Sequence, residues 1–326
     1  MKFLIVTSLL LGSILFVFPQ VLYGLAALVG KLFVFKVSYK PFLFASIILV
    51  SIWFLAVIYG YFIGRTRYEI KQESISFANL SDSFDGYRIV QISDLHLDGL
   101  RGNTGFLDKV VESVNALQPD MICFTGDLVS FTHEEMDAYI PALKKLQARD
   151  GVYSVLGNHD YAPYVSFPKE SMRSEAVHAL IDKERSLGWN VLLNESRIVY
   201  RGKDSIAIVG VENQSCGAHS VVKRGKLLAA QSGVESMFRI LLSHDPSHWK
   251  AEVLPQTDIP LTLSGHTHAM QLRIGKYTPS AWLYPECDGL YEEQGRYLYV
   301  NIGLGGTLPC RIGAIPEITL IELKKN

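Results

Sequence analysis

The chain has 326 residues, 48% hydrophobic and 19% charged, with a formal net charge of −1. Residues 1–71 carry seven Lys or Arg against one acid, Glu69, a net of +6, which leaves −7 for residues 72–326. So acidic a soluble part has no field with which to grip a nucleic-acid backbone, and no nucleic-acid partner is expected. The four cysteines, at 123, 216, 287 and 310, form no Cys-x-x-Cys pair and suggest neither a disulfide framework nor a thiolate zinc site.

Two uncharged apolar stretches come first, within Phe3 to Gly30 and Pro41 to Gly64. Each exceeds the ~20 residues a bilayer-spanning helix needs, and neither has the polar stripe of a long core helix. Residues 1–71 are therefore expected to form a membrane anchor, a helical hairpin spanning about 3–29 and 42–64. A cleaved signal peptide is the alternative for the first stretch, but its apolar run is long and no small-x-small site ends it. Lys2, Arg65, Arg67 and Lys71 outnumber Lys31, Lys36 and Lys40 by one. That excess points to an integral protein of a bacterial inner or plasma membrane with its catalytic domain, residues 72–326, in the cytoplasm.

From about residue 86, short β-branched runs alternate with amphipathic stretches, the pattern of an α/β sheet fold. Helices are expected at 104–117, 134–147 and 171–187, and successive strands without a helix between 190 and 211. A last strand is expected near Ile318. Five runs end alike. Tyr87 to Ser93 leads into Asp94-Leu-His96, Met121 to Thr125 into Gly126-Asp127, and Gly151 to Leu156 into Gly157-Asn-His-Asp160. Phe238 to Ser243 leads into His244, and Pro260 to Ser264 into Gly265-His-Thr-His268. Open α/β sheets bind ligands beyond the carboxyl ends of their strands, so the five endings are expected to converge in one crevice. Asp94, His96, Asp127, Asn158, His244, His266 and His268 offer oxygen and imidazole donors and no thiolate, a set suited to hard divalent ions. Two such ions ~4 Å apart need a shared anionic ligand. Asp127, after a glycine that permits a tight turn, is the candidate.

This ordered set closely resembles the calcineurin-like metallophosphoesterase superfamily, especially its membrane-associated bacterial branch, over residues 86 to 323. The resemblance implies a four-layer α/β/β/α sandwich. It implies one metal held by Asp94, His96, Asp127 and His268, and a second by Asp127, Asn158, His244 and His266. Mn²⁺ is the expected ion, with Fe, Zn or Co as alternatives. It further implies attack on phosphorus by a hydroxide shared between the two metals, with His159 as general acid. The substrate would be a phosphomonoester, a phosphodiester or a lipid-linked diphosphate. The family pattern is departed from twice: Ser130 stands where relatives often carry an acid that orients the catalytic histidine, and Ala269-Met270 stand where many carry two glycines.

The remaining histidines, 133, 178, 219 and 248, have no motif support and are expected on surfaces or loops, with a rim contact open to His248. Glu212 and Asn213 lie past another strand end and are candidates to reach the crevice. Arg311 is a candidate for substrate phosphate, which a guanidinium recognises in a forked geometry. Gly303-Leu-Gly-Gly306 lacks the Lys and Ser/Thr of a P-loop and reads as a tight turn. Two other classes compete. A catalytically silent membrane scaffold has only Ser130 in its favour; an amidohydrolase would require a barrel and a different ligand order.

Overall fold

The computed structural model describes residues 2–217 and 221–326, with side chains from residue 4 onward. His219 lies outside them. Helix α1 (Lys2–Leu32) and helix α2 (Lys40–Tyr59) form an antiparallel hairpin, and α2 runs on through a π-helical turn, Gly60–Gly64. Both are long and apolar enough to cross a bilayer, and most of their surface is bare. Polar side chains join the two helices at their seam. The Ser46 hydroxyl donates to the Phe16 carbonyl (2.8 Å) and accepts from Gln20 Nε2 (2.7 Å), and the Trp53 indole donates to the Ser8 carbonyl (3.0 Å). Side-chain hydrogen bonds of this kind join helices where apolar burial gives no preference over lipid.

The rest is an α/β/β/α sandwich. Its strands are β1 (Glu69–Phe77), β2 (Tyr87–Ile92), β3 (Met121–Phe124), β4 (Val152–Ser154), β5 (Asn190–Val191) and β6 (Glu195–Arg201). They continue as β7 (Asp204–Gly210), β8 (Phe238–Leu242), β9 (Leu261–Ser264), β10 (Gly289–Glu293), β11 (Arg296–Val300) and β12 (Glu317–Lys325). One sheet has the order β1-β12-β2-β3-β4-β5 and the other β10-β11-β9-β8-β7-β6. In the first, β2 to β5 are parallel; in the second, β7, β8, β9 and β11 are parallel. Alternation along each strand feeds two cores. On β2, Ile89 faces the core between the sheets, with Met121, Cys123, Ile240 and Leu263, while Val90 and Ile92 face the outer helical layer.

Short helix α3 (Leu97–Leu100) follows β2, and α4 (Thr104–Ala116) buries Phe106, Leu107, Val110, Val111 and Val114, the spacing of one helical face. The helix expected at 134–147 is broken into a 3-10 turn, His133–Met136, and a single turn α5 (Ile140–Leu143). Pro141 explains the break, because proline is accommodated only in a helix's first turn, so the segment must restart at Ile140. Helix α6 (Glu170–Ser186) fits the expected 171–187.

Strand β1 straddles the boundary expected at residue 71, and Lys71 forms an ion pair with fully buried Glu317 on neighbouring β12. A residue counted among the topology signals thus also neutralises a core carboxylate. The hairpin joins the domain where the Gly60 carbonyl accepts from the Arg311 N–H (3.2 Å), with no side chain at Gly60 to hold the two backbones apart.

Candidate metal centre

Strands β2, β3 and β4 are parallel neighbours in one sheet, and β8 and β9 in the other, so their carboxyl ends open on the same edge. Two groups of donors gather there. Asp94, His96, Asp127 and His268 present ligand atoms within 4.8 Å of one another, as do Asp127, His244 and His266; Asp127 belongs to both. His96 Nε2 is 3.2 Å from His268 Nε2 and 3.4 Å from Asp127 Oδ2. His244 Nε2 is 3.2 Å from Asp127 Oδ2 and 3.2 Å from His266 Nδ1. Asn158, beside them, has a buried Oδ1 with no hydrogen-bond partner.

Backbone shape aims these side chains. Asp94, His96, Asp127, His266 and His268 all have φ between +43° and +76°, the left-handed region, which costs an L-residue on the order of 1 kcal/mol each. Gly126 (φ +96°) allows the close approach of loops, since a Cβ there would meet His244 Nδ1 at 2.8 Å. Asp160 binds the turns together, its carboxylate accepting from the N–H groups of Asp127 (2.8 Å), Val129 (3.1 Å) and Gly157 (2.8 Å).

The far nitrogen of each imidazole is anchored. His244 Nδ1 meets the Thr125 carbonyl at 2.7 Å, His266 Nε2 the Tyr284 hydroxyl at 2.8 Å, and His96 Nδ1 the Ser130 hydroxyl at 3.4 Å. Such outer contacts fix ring orientation in metal sites. Burial pushes His96 down to about 3 and lowers His266 and His268, which keeps these rings neutral and able to ligate. Burial also opposes a charge on His244, but the Asp127 and Asp94 carboxylates outweigh it and raise it to about 10. The pocket's field thus calls for positive charge. Lone oxygen and nitrogen pairs converging on one point, two buried carboxylates and the orphaned Asn158 oxygen fit divalent cations.

His159 stands at the rim. Its Nδ1 is 2.9 Å from the Ser130 carbonyl, and its N–H donates to Asp127 Oδ1 (2.8 Å). The missing acid at position 130 is thereby replaced by that residue's backbone carbonyl. Glu135 holds the carbonyl's loop, accepting from the N–H groups of Asp98, Ser130, Phe131 and Thr132. The Thr132-x-x-Glu135 capping-box pattern could have revealed Glu135 beforehand. The Tyr164 ring lies against His159, tilted by 40° with centres 4.6 Å apart, and no sequence pattern marks it or Tyr284.

Four residues sit elsewhere than expected. Arg311 is 1% exposed and donates to the carbonyls of Gly305, Ile302 and Ala314, so no face is left for substrate. It lies 3.2 Å behind His268 Nδ1, where its charge disfavours protonation of that ring. Glu212 turns away to the Tyr161 hydroxyl (3.1 Å) and Asn194 (2.6 Å) and lines a separate cavity of about 310 Å³ with Arg173 and Arg224, while buried Asn213 binds Ser215 and the Val222 carbonyl. His248 is fully buried rather than at a surface, with Nδ1 2.9 Å from the Ser243 hydroxyl and Nε2 3.5 Å from Glu252. Ala269 and Met270, at the positions of the two family glycines, both take left-handed φ (50° and 48°), as glycines would without strain.

The family description "Calcineurin-like phosphoesterase" matches residues 87–270, which span all seven donors. The chain belongs to this family. It is a hydrolase acting on ester bonds, with a divalent-metal site and an association with membranes. The metallophosphoesterase YkuE of Bacillus subtilis is 32% identical to this phosphoesterase over 82% of the chain and 90% of its own length. A transmembrane protein with metallophosphoesterase domain from Danio rerio is 30% identical over 82% of the chain, which spans 60% of the fish protein. LpxG of Chlamydia muridarum, a UDP-2,3-diacylglucosamine pyrophosphatase, is 29% identical over 73% of the chain and 83% of its own length.

Proposed function

We propose that this phosphoesterase is an integral membrane enzyme with two metal ions that cleaves a phosphate ester or diphosphate carried by a lipid, its catalytic domain on the cytoplasmic face. The membership of Asp127 in both donor groups carries the dinuclear reading. Asp94, His96, Asp127 and His268 would hold one ion, and Asp127, Asn158, His244 and His266 the other, with Mn²⁺ as first choice. When bound, such a pair supplies Lewis acidity and an acidified water near neutral pH. The protein's own part is positioning and proton transfer. With Nδ1–H held by the Ser130 carbonyl, the Nε2 of a protonated His159 is the free donor for the leaving oxygen.

A lipid-borne substrate is supported by the walls that neighbouring cavities share. His159, Phe131 and Tyr164 line a cavity of about 180 Å³ that has Gly306 in its wall. Gly306 also lines a second cavity with Leu308, and Leu308 a third that is bounded by α1 and α2. The acylated substrate in the name of LpxG agrees with this reading.

The detergent-purified chain, supplied with Mn²⁺, is expected to hydrolyse nitrophenyl phosphates slowly and lipid phosphates faster. Absence of metal-dependent turnover on both would end the proposal, and equal rates would remove the lipid preference. His159→Ala should lose about 10²–10⁴-fold in kcat while retaining two ions per chain by elemental analysis. Asp127→Asn should lose metal and activity together, and equal metal loss in both variants would refute the division of roles.

A further inference from the structure

Between His268 and Tyr284 the chain leaves the metal centre and returns to it. It departs through four consecutive left-handed residues, His268 to Gln271, and passes Leu272, which is bridged to Ile312. At Gly275-Lys276 it reverses, Ile274 and Tyr277 exchanging backbone hydrogen bonds of 2.9 and 3.1 Å. A 3-10 turn, Pro279–Trp282, brings it back to Tyr284, whose hydroxyl meets His266. Large apolar side chains on this excursion face outward: Trp282 is 87% exposed, Tyr277 72%, Ile274 71% and Leu283 49%.

The base of the excursion adjoins the hairpin. Met270, Leu272 and Ile312 form one wall of a cavity of about 190 Å³ whose other wall includes Leu4 and Leu11 of α1 and Trp53 of α2. From Leu4 to Leu11 is about 10 Å of helix at 1.5 Å per residue. The zone between water and hydrocarbon is only about 5–7 Å deep on each side of a bilayer. With the hairpin spanning the membrane, the base of the excursion therefore stands at or below headgroup level. The side chains beyond it are of the boundary type: Trp and Tyr with aliphatic neighbours, and Lys276 with its ammonium 5.5 Å from the Tyr277 ring centre.

We propose that residues 273–283 form a second membrane contact, a monotopic loop that inserts Ile274, Tyr277, Trp282 and Leu283 into the leaflet where the hairpin enters. Joined to His268 at one end and to Tyr284 at the other, the loop holds the metal centre at the depth of lipid phosphates. The inference rests on the integral-membrane reading above, and its occupant is the bilayer itself.

The test is tryptophan quenching in nanodiscs of phosphatidylcholine brominated at carbons 6 and 7 of an acyl chain. Trp189 and Trp249 are buried in the domain, which leaves Trp53 and Trp282 to report on lipid. Trp53→Phe and Trp282→Phe should each remove part of the lipid-quenched emission, and Trp282 should resist acrylamide. Ile274→Asp should lessen the quenching of Trp282 while sparing Trp53. If only Trp53→Phe removes quenched emission, the loop proposal fails while the hairpin stands; if neither does, both fall. Trp282 shielded from acrylamide yet unquenched by lipid would mean that a second copy covers the loop, which also overturns the proposal.

Discussion

Glu184 on α6 is fully buried, with one carboxylate oxygen accepting from the Ser154 hydroxyl at 2.6 Å and the other without a partner. Burial pushes its pKa up to about 7, from the usual 4.5. The folded state therefore holds a proton that the unfolded chain has released, and stability falls as pH rises from about 4.5 through about 7, then levels off. At ~1.4 kcal/mol per unit the loss approaches ~3 kcal/mol. Glu184→Gln should abolish that share of the decline, as read by denaturant melts of both proteins between pH 5 and 8. Equal slopes would refute it. At this scale the donors were legible because Asp, Asn and His recur at strand ends. Their left-handed backbones, the Tyr284 hydroxyl and the inward turn of Arg311 were not, since each depends on partners distant in sequence.

Among elements, the loop 303–306 has a structural role that its composition alone does not specify. A Cβ on Gly303, at φ +77°, would meet Asp94 Cβ at 2.6 Å and His268 Nδ1 at 3.3 Å. The loop is thus the wall behind Asp94. Gly303→Ala should cost about 1–3 kcal/mol in strain and weaken metal retention, checked by thermal melts and elemental analysis. Unchanged metal content would show that the wall yields. The five strand endings, α4 and α6 could be read from periodicity. Strand β1 could not, because Glu-Ile-Lys-Gln-Glu-Ser-Ile-Ser-Phe is largely polar on an exposed edge. The helix at 134–147 failed because apolar spacing continues across Pro141 while backbone hydrogen bonding does not.

For the whole molecule, the proposed cation pair is expected to act as structure as well as catalyst. Turns from two sheets bring the buried carboxylates of Asp94 and Asp127 together with the imidazoles of His96, His244, His266 and His268. A ligand that binds only the folded form adds stability by mass action, about 2.7 kcal/mol at a hundredfold excess over its Kd. Chelation should lower the melting temperature of the native chain and leave that of Asp127→Asn unchanged; a chelator-insensitive native chain would show that the sheets hold the turns unaided. The sandwich was foreseeable from the alternation of strands and helices, but the insertion of β12 between β1 and β2 was not, since pairing across the chain leaves no local mark.

That insertion governs how the protein matures. Strand β1 leaves the ribosome just behind the hairpin, yet its neighbour β12 is synthesised about 240 residues later. Throughout that interval Lys71 lacks Glu317 and β1 has an open edge where β12 will pair. Completion of the first sheet therefore waits on β12, and a chain cut short before residue 317 would leave that edge unsealed.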